Sequence, residues 1–352
     1  RGVHRAAPGR RMKFAVLGAG AIGAYVGAAL TRGGADVTLI ARGAHRHAMA
    51  EHGVRVQSPR GNFCARPEVT DDIAAVADAD VVFVALKAYS LPAIAPQLGR
   101  LMAPGAAAIW AQNGIPWWYF QSLPPPPDGR RPEGVSADAA GIAGLESVDP
   151  GGVIAASISP DRNIGCVVFC STEIVEPGVI RHVEGTRFTI GEPDGSDSPR
   201  VRAISRAFAD GGLRAPVDPR LRDQIWLKLV GNVAFNPITA LTGATLGQLG
   251  TLPAMHDLLR ALFAESAAVA ARLGVTFPVS LDRRLEAGIE VGDHKTSMLQ
   301  DLEAGKRLEL ECMTGAIVEL AARLGVDVPH TSTVHACVQL LDRLRAERAD
   351  HG

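Results

Sequence analysis

The strongest constraint on this chain sits near its N-terminal end. Lys13–Leu17 is a short apolar run, and Gly18-Ala19-Gly20-Ala21-Ile22-Gly23 follows it without a break. Ala24–Arg32 then reads as a helix. A lone Gly-x-Gly-x-x-Gly says little, but strand, glycine turn and helix in that order say much more. The first glycine makes a tight turn, the second lets backbone approach a pyrophosphate, and the third lets helix close on strand. Exposed N–H groups at the helix start then receive the phosphate. The six residues Gly18, Ala19, Gly20, Ala21, Ile22 and Gly23 are therefore candidate dinucleotide contacts. A strand–helix turn without a ligand is the plainer alternative.

The end of the next strand selects the dinucleotide. Asp36–Ile40 is a second β-run, and the chain continues Ala41-Arg42-Gly43. An acid at this point would bind a ribose 2′-hydroxyl; a guanidinium instead matches a 2′-phosphate in bidentate fashion. Arg42 thus favours NADP (NADPH) over NAD, with a solvated loop arginine as the alternative and Arg46 as a weaker second candidate. Two further apolar runs, Ala79–Leu86 and Ala106–Ala111, complete a strand–helix alternation. Such alternation predicts a parallel sheet covered on both faces, a Rossmann-like doubly wound α/β domain. Lys87 and Asn113 follow strand ends, where open α/β sheets place ligands. Lys87 is a candidate for cofactor phosphate, and Asn113 for both nicotinamide and substrate.

Gly165–Cys170, Val179–Val183 and Arg187–Ile190 are rich in β-branched residues and punctuated by Glu176-Pro177-Gly178 and Glu184-Gly185. They are expected to extend the sheet with antiparallel strands. The Gly/Ser/Pro/Asp-rich stretch 192–200 reads as a domain boundary, after which the sequence is helical. The expected organisation is a disordered basic extension over 1–11, an NADP-binding domain over 12–196 and a helical catalytic domain over 197–345. Arg1, Arg5, Arg10 and Arg11 make the extension basic, with sequence upstream of the true start, or less readily an organelle-targeting peptide, as its alternative readings.

Bulk properties narrow the function classes. A formal net charge of −1 over 352 residues gives no footprint for nucleic acid or an anionic membrane. No apolar run reaches the ~18 residues that would span a bilayer. Cys64, Cys166, Cys170, Cys312 and Cys337 are scattered and show no CxxC spacing. Neither a disulfide framework nor a metal site is expected, and a reducing cytoplasm fits best.

The segment Leu221–Asn236 is apolar almost all round, so it should be buried. Yet Lys228, Asn232 and Asn236 recur every fourth residue, and Gln224 extends the row. That spacing drifts by only ~40° per step, so the polar groups share one face. Buried polar groups need partners, which means an internal network or a ligand cleft. In a cleft, lysine is suited to donate a proton. A second stripe lies in 302–324, read as one helix. There Glu309 projects among the apolar residues, whereas Glu303, Glu311 and Glu319 read as solvated. Upstream, Thr296 and Ser297 are placed to cap a helix or to bond a carboxylate.

Taken together, the GAGAIG turn, LKAYS around Lys87, QNGI around Asn113, KLVGNVAFNPITAL from Lys228 and KTSMLQD from Lys295 resemble the ketopantoate reductase (2-dehydropantoate 2-reductase) family from Met12 to about Leu341. The resemblance implies reduction of 2-dehydropantoate to (R)-pantoate with NADPH, with Lys228 donating the proton. It further implies Asn232 and Asn236 as substrate contacts and Asn113 as a contact to cofactor and substrate. Lys87 and Arg42 would meet the phosphate end of the cofactor, and Ser297 the substrate carboxylate. Glu309 would lie at the nicotinamide–substrate junction, and Ser171 on a loosely matching cofactor-contacting stretch. The chain departs from the family at Ala244-Thr245-Leu246, where some members carry a further substrate-binding Asn. It departs again at the bulky Trp117-Trp118-Tyr119-Phe120, which precedes a Pro-rich insertion. The aromatic run is more readily packing or a homodimer contact than a substrate wall. A different branched 2-oxo acid, a bulkier carbonyl compound, or a non-catalytic NADP(H)-sensing role are the competing readings.

Overall fold

The computed structural model describes residues 11–122 and 144–350, with side chains through 348. Of the basic extension over 1–11 only Arg11 is described; the rest of it and the Pro-rich insertion lie outside the described residues. The chain divides into two compact units. The first holds the described residues through Gln112 together with Ala156–Leu221; the second holds those of Asn113–Ala155 together with Arg222 onward.

The first unit is built on a nine-stranded sheet among the described residues. In chain order its elements are β1 (Lys13–Leu17), α1 (Ala21–Arg32), β2 (Asp36–Ile40), α2 (Gly43–His52), β3 (Val54–Gln57), β4 (Phe63–Ala65), β5 (Glu68–Thr70), β6 (Val81–Val84), α3 (Leu91–Leu101) and β7 (Ala107–Trp110). After α4 (Val153–Ser157), most of which belongs to the second unit, come β8 (Asn163–Glu176), β9 (Val179–Gly191) and α5 (Pro199–Asp210). The sheet order is β4-β3-β9-β8-β7-β6-β1-β2-β5. Every pair from β5 through β8 is parallel. Buried on both faces, β6 and β7 need unbroken apolar sequence, which is why they read as Val-Val-Phe-Val and Ala-Ala-Ile-Trp. Strand order reverses at β1, the crevice where doubly wound sheets bind nucleotides.

The antiparallel extension is present, but β9 is one strand rather than two. Glu184 and Gly185 lie inside it at a register shift opposite Phe169 and Ser171. Gly185 has φ +71°, and a Cβ there would sit 2.4 Å from the Phe169 carbonyl oxygen, so only glycine closes this bulge. The three short strands β3–β5 have no counterpart in the sequence reading; at three or four residues they are too brief for periodicity to register.

The stretch 192–200 is not a linker. Glu192 is buried and receives Arg200 in bidentate fashion, Nε to Oε1 at 2.7 Å and Nη2 to Oε2 at 2.5 Å. The next helix, α5, packs on α1, where Arg32 Nη2 donates to the Gly211 carbonyl at 2.8 Å. The boundary therefore falls at Leu221 rather than between 196 and 197. A charged, glycine-rich composition looks the same whether its charges face water or one another.

The second unit is helical: α6 (Leu221–Thr242), α7 (Leu246–Leu249), α8 (Pro253–Arg272), α9 (Leu281–Ile289), α10 (Ser297–Glu303), α11 (Ala316–Leu324) and α12 (Pro329–Asp350). The expected single helix over 302–324 is interrupted. Helix α10 ends at Glu303, and Gly305 turns the chain with φ +70°. An irregular segment then leads into a π-helical turn over Glu311–Gly315 before α11 begins. Glu319 is not solvated: its carboxylate accepts from the backbone N–H of Glu146 and Ser147 and from the Ser147 hydroxyl. The aromatic run packs as core. Tyr119 is 2 % exposed; its hydroxyl accepts from Trp226 Nε1 at 2.8 Å, and Arg222 donates to the carbonyls of Tyr119 and Gln121.

Candidate active site

In the first unit the glycine turn is shaped by close contacts. Gly18 has φ +92°, and a Cβ on it would meet the Leu86 backbone nitrogen at 3.0 Å. The loop after β6, which carries Leu86 and Lys87, therefore presses on the turn after β1. A Cβ on Gly23 would lie 2.3 Å from the Gly18 carbonyl oxygen, and one on Gly27 2.3 Å from Leu39. Helix α1 can approach the sheet only because both are glycine. Gly20 differs, since nothing lies within 4 Å of where its Cβ would be. The helix that starts there has no side-chain cap and no acid in its first turn. An open backbone face at an uncapped helix start fits a dinucleotide pyrophosphate.

Arg42 is exposed at the end of β2, where it serves as the residue before α2. Arg46 instead faces Asp71, Nε to Oδ2 at 3.4 Å, and its Nη2 approaches His47, so it is the less available guanidinium. Lys87 is half-buried at the turn after β6. Ser171 stands beside the bulge of β8. Two further groups, unforeseen from sequence, brace this region. Gln112 Nε2 donates to the carbonyls of Val84 and Leu86, tying down the loop that carries Lys87. His45 Nδ1 accepts from the Gly178 N–H at 3.0 Å. Burial lowers its pKa, an effect that the Ala19 carbonyl opposes. No sequence pattern marks either group, because each is defined by a backbone partner distant along the chain.

In the second unit, Lys228 and Asn113 come together: Lys228 Nζ donates to Asn113 Oδ1 at 2.7 Å. One turn along α6, Asn232 is half-buried and its side chain makes no hydrogen bond among the described residues. Asn236 lies deeper, 5 % exposed, with its Nδ2 3.7 Å from the Met313 sulfur. Of the polar stripe, Lys228 and Asn232 are thus the accessible pair, while Asn236 is turned toward packing. Thr296 caps α10 and its hydroxyl meets Thr239 at 2.6 Å, which leaves Ser297 exposed on the first turn. Thr245 and Gln248 form a reciprocal capping box at the start of α7, a structural task for this segment.

Glu309 is buried at 7 % exposure, but in the irregular segment before the π-turn, not on a helix face. Its burial matches the sequence reading; the geometry invoked for it does not. The π-turn has a second effect. The Cys312 carbonyl accepts from the Ile115 N–H at 2.8 Å, and a Cβ on Gly114 would lie 2.0 Å from that same oxygen. The loop carrying Asn113 is therefore seated directly on the π-turn, consistent with the frequent placement of such turns at functional sites.

An ammonium held by a neutral amide, beside a second unengaged amide, is arranged to stabilise and protonate a developing alkoxide. Together with a dinucleotide-binding parallel sheet, it defines an NAD(P)-dependent oxidoreductase acting on CH–OH groups. Family models agree. Residues 14–116 match "Ketopantoate reductase PanE/ApbA" and residues 220–342 match "Ketopantoate reductase PanE/ApbA C terminal". The chain belongs to the ketopantoate reductase family.

Among its relatives, the 2-dehydropantoate 2-reductase of Mesorhizobium japonicum is 41% identical over 338 residues, 96% of this chain and 99% of that protein. A solved protein from Ralstonia solanacearum MolK2, assigned as a ketopantoate reductase, superposes with a TM-score of 0.84 at 34% identity, covering 96% of this chain and 99% of the other. A D-mandelate dehydrogenase, solved with NADH and anilino(oxo)acetate, has a TM-score of 0.76 at 18% identity, covering 95% and 99%; at that identity the likeness concerns the fold. Among the described residues no helix is long and apolar enough to cross a membrane, and no group of three or more His, Cys, Asp or Glu could hold a metal ion.

Proposed function

We propose that the protein reduces 2-dehydropantoate to (R)-pantoate with NADPH, the reduction that feeds pantothenate synthesis. The observation that carries this reading is the 2.7 Å hydrogen bond from Lys228 Nζ to Asn113 Oδ1, with the Asn232 amide one turn away. When bound, the reduced nicotinamide supplies the hydride. The chain's own groups do the rest. Lys228 donates a proton to the ketone oxygen as charge builds there, and Asn113 fixes the direction of its ammonium. Asn232 donates to the substrate, with Asn236 behind it, and Ser297 bonds the carboxylate end.

Gly18 through Gly23 hold the pyrophosphate, supported by the open face at Gly20 and the uncapped start of α1. Arg42 takes the 2′-phosphate and Lys87 meets the same cofactor from the next strand end. Ser171 and Glu309 are each read as a cofactor contact, each on its own unit. The deciding experiment follows oxidation of NADPH and of NADH by purified protein with 2-dehydropantoate and a panel of other 2-oxo acids. Turnover fastest with 2-dehydropantoate and NADPH is the expected result. A higher kcat/KM on another 2-oxo acid would reassign the substrate, and equal rates with NADH would remove the role given to Arg42.

A further inference from the structure

The substrate groups just named leave one charge unanswered. A 2-oxo acid carries a carboxylate next to the carbonyl carbon, yet Asn113, Asn232, Asn236 and Ser297 are all neutral. Lys228 is committed to the carbonyl oxygen. A neutral hydroxyl or amide can bond a carboxylate, but it distinguishes an acid only weakly from the corresponding amide. A cation is needed for that distinction.

Arg284 on α9 meets the requirement. Its Nε donates to the Leu227 carbonyl on α6 at 3.3 Å, and that is its one side-chain hydrogen bond among the described residues. Its Nη2 lies against the Cα of Gly231, 2.9 Å from where a Cβ would be. A guanidinium carries five N–H donors, so four are left without a protein acceptor. No carboxylate pairs with it among the described residues, whereas its neighbour Arg283 is exposed and faces Glu290. Burial lowers the pKa of Arg284, with no acid nearby to compensate. Arg284 is half-buried, so these open N–H donors remain available to an anion.

Its place on α6 is informative. At about 100° per residue, Gly231 lies roughly 60° around the helix from Lys228 and less than one turn along it. Leu227 and Gly231 flank the Lys228–Asn232 pair. The absence of a side chain at Gly231 is what lets the guanidinium lie on this surface. All of these residues belong to the second unit, so the juxtaposition is internal to one body.

We propose that Arg284 is the carboxylate-recognition residue of this enzyme, taking both oxygens of the substrate carboxylate in its fork and so setting the adjacent carbonyl toward Lys228. The proposal rests on the reading of the chain as a 2-oxo acid reductase. Ser297 remains a contact in this arrangement; discrimination by charge belongs to Arg284.

The test compares each 2-oxo acid with its neutral 2-oxo amide. Wild-type protein should prefer the acid by tenfold or more in kcat/KM. Arg284→Met should raise KM for the acid at least tenfold and collapse the acid/amide preference in kcat/KM, while NADPH affinity, read by fluorescence, is unchanged. Arg284→Lys keeps a charge but loses the fork, and should fall between the two. Wild-type protein that reduces acid and amide equally well overturns the assignment without any variant. So does an Arg284→Met protein whose KM rises by the same factor for both, or for neither. If wild-type protein reduces neither compound with either nicotinamide, the functional reading fails and this assignment fails with it.

Discussion

The contact between Gly114 and the π-turn offers a sharp test of how the site is held. Replacing Gly114 by Ala perturbs it in two separable ways. Gly114 has φ +84°, where an L-residue is strained by about 1–2 kcal/mol. The new Cβ would also lie 2.0 Å from the Cys312 carbonyl oxygen, about 1 Å closer than real Cβ contacts allow. That oxygen belongs to backbone, so the loop must move instead. The Ile115 N–H then loses its 2.8 Å bond to the buried Cys312, a further cost of about 1–2 kcal/mol. The expected loss is about 2–4 kcal/mol, or a Tm lowered by roughly 5–15 °C. Moving Asn113 by about 1 Å releases the Lys228 ammonium from its alignment, and misplacement on that scale costs about 10²-fold in kcat.

Gly105→Ala is the control. Its φ is +81°, but nothing lies within 4 Å of the would-be Cβ, so it feels only the backbone strain. Differential scanning calorimetry and steady-state kinetics on both variants read the two effects. A Gly114→Ala protein with wild-type kcat, or with losses no larger than those of Gly105→Ala, would refute the claim that the π-turn seats Asn113.

Other outcomes follow from the same structure. Lys228→Ala should lower kcat by 10²-fold or more, about 2.7 kcal/mol of transition-state stabilisation, with NADPH affinity retained in a fluorescence titration. Arg42→Glu should raise the KM for NADPH tenfold or more and narrow or reverse the preference over NADH, because a carboxylate repels a 2′-phosphate and accepts from a 2′-hydroxyl. Glu319→Gln should lower stability at pH 7 by about 1–2 kcal/mol in urea melts, since it weakens charge-assisted bonds from Ser147 and Glu146. Burial pushes the Glu319 carboxyl up, but those bonds and Arg323 together hold its pKa below the ordinary value. A depressed carboxyl pKa stabilises the fold above the unfolded-state value and ceases to do so as pH falls through the folded-state value. The gap between wild type and Glu319→Gln should therefore close on acidification below about pH 4.

The residues that could be read from sequence are those whose neighbours in space are also neighbours in the chain. Gly18 to Gly23 follow this rule, because strand, turn and helix start are consecutive and each glycine answers a local steric need. Arg42 follows it too, two residues beyond β2, and so do Lys228 and Asn232, since four-residue spacing on a helix is a local fact. Glu309 shows the limit. Periodicity found a buried carboxylate but supplied the wrong geometry, because Gly305 and the π-turn break the helix that the pattern implied. The stretch near 196 reads as a boundary for a related reason: buried Glu192 is paired with a partly exposed Arg200, and composition cannot tell a mutual ion pair from two solvated charges. What the tertiary structure alone decided are the long-range meetings: Asn113 on Lys228, Ile115 on Cys312, His45 on Gly178, and Arg284 against Gly231. The glycine turn determines that a dinucleotide can be bound, because its demands are backbone demands. How the ammonium of Lys228 is aimed depends on packing between segments more than a hundred residues apart, and only the folded chain brings them together.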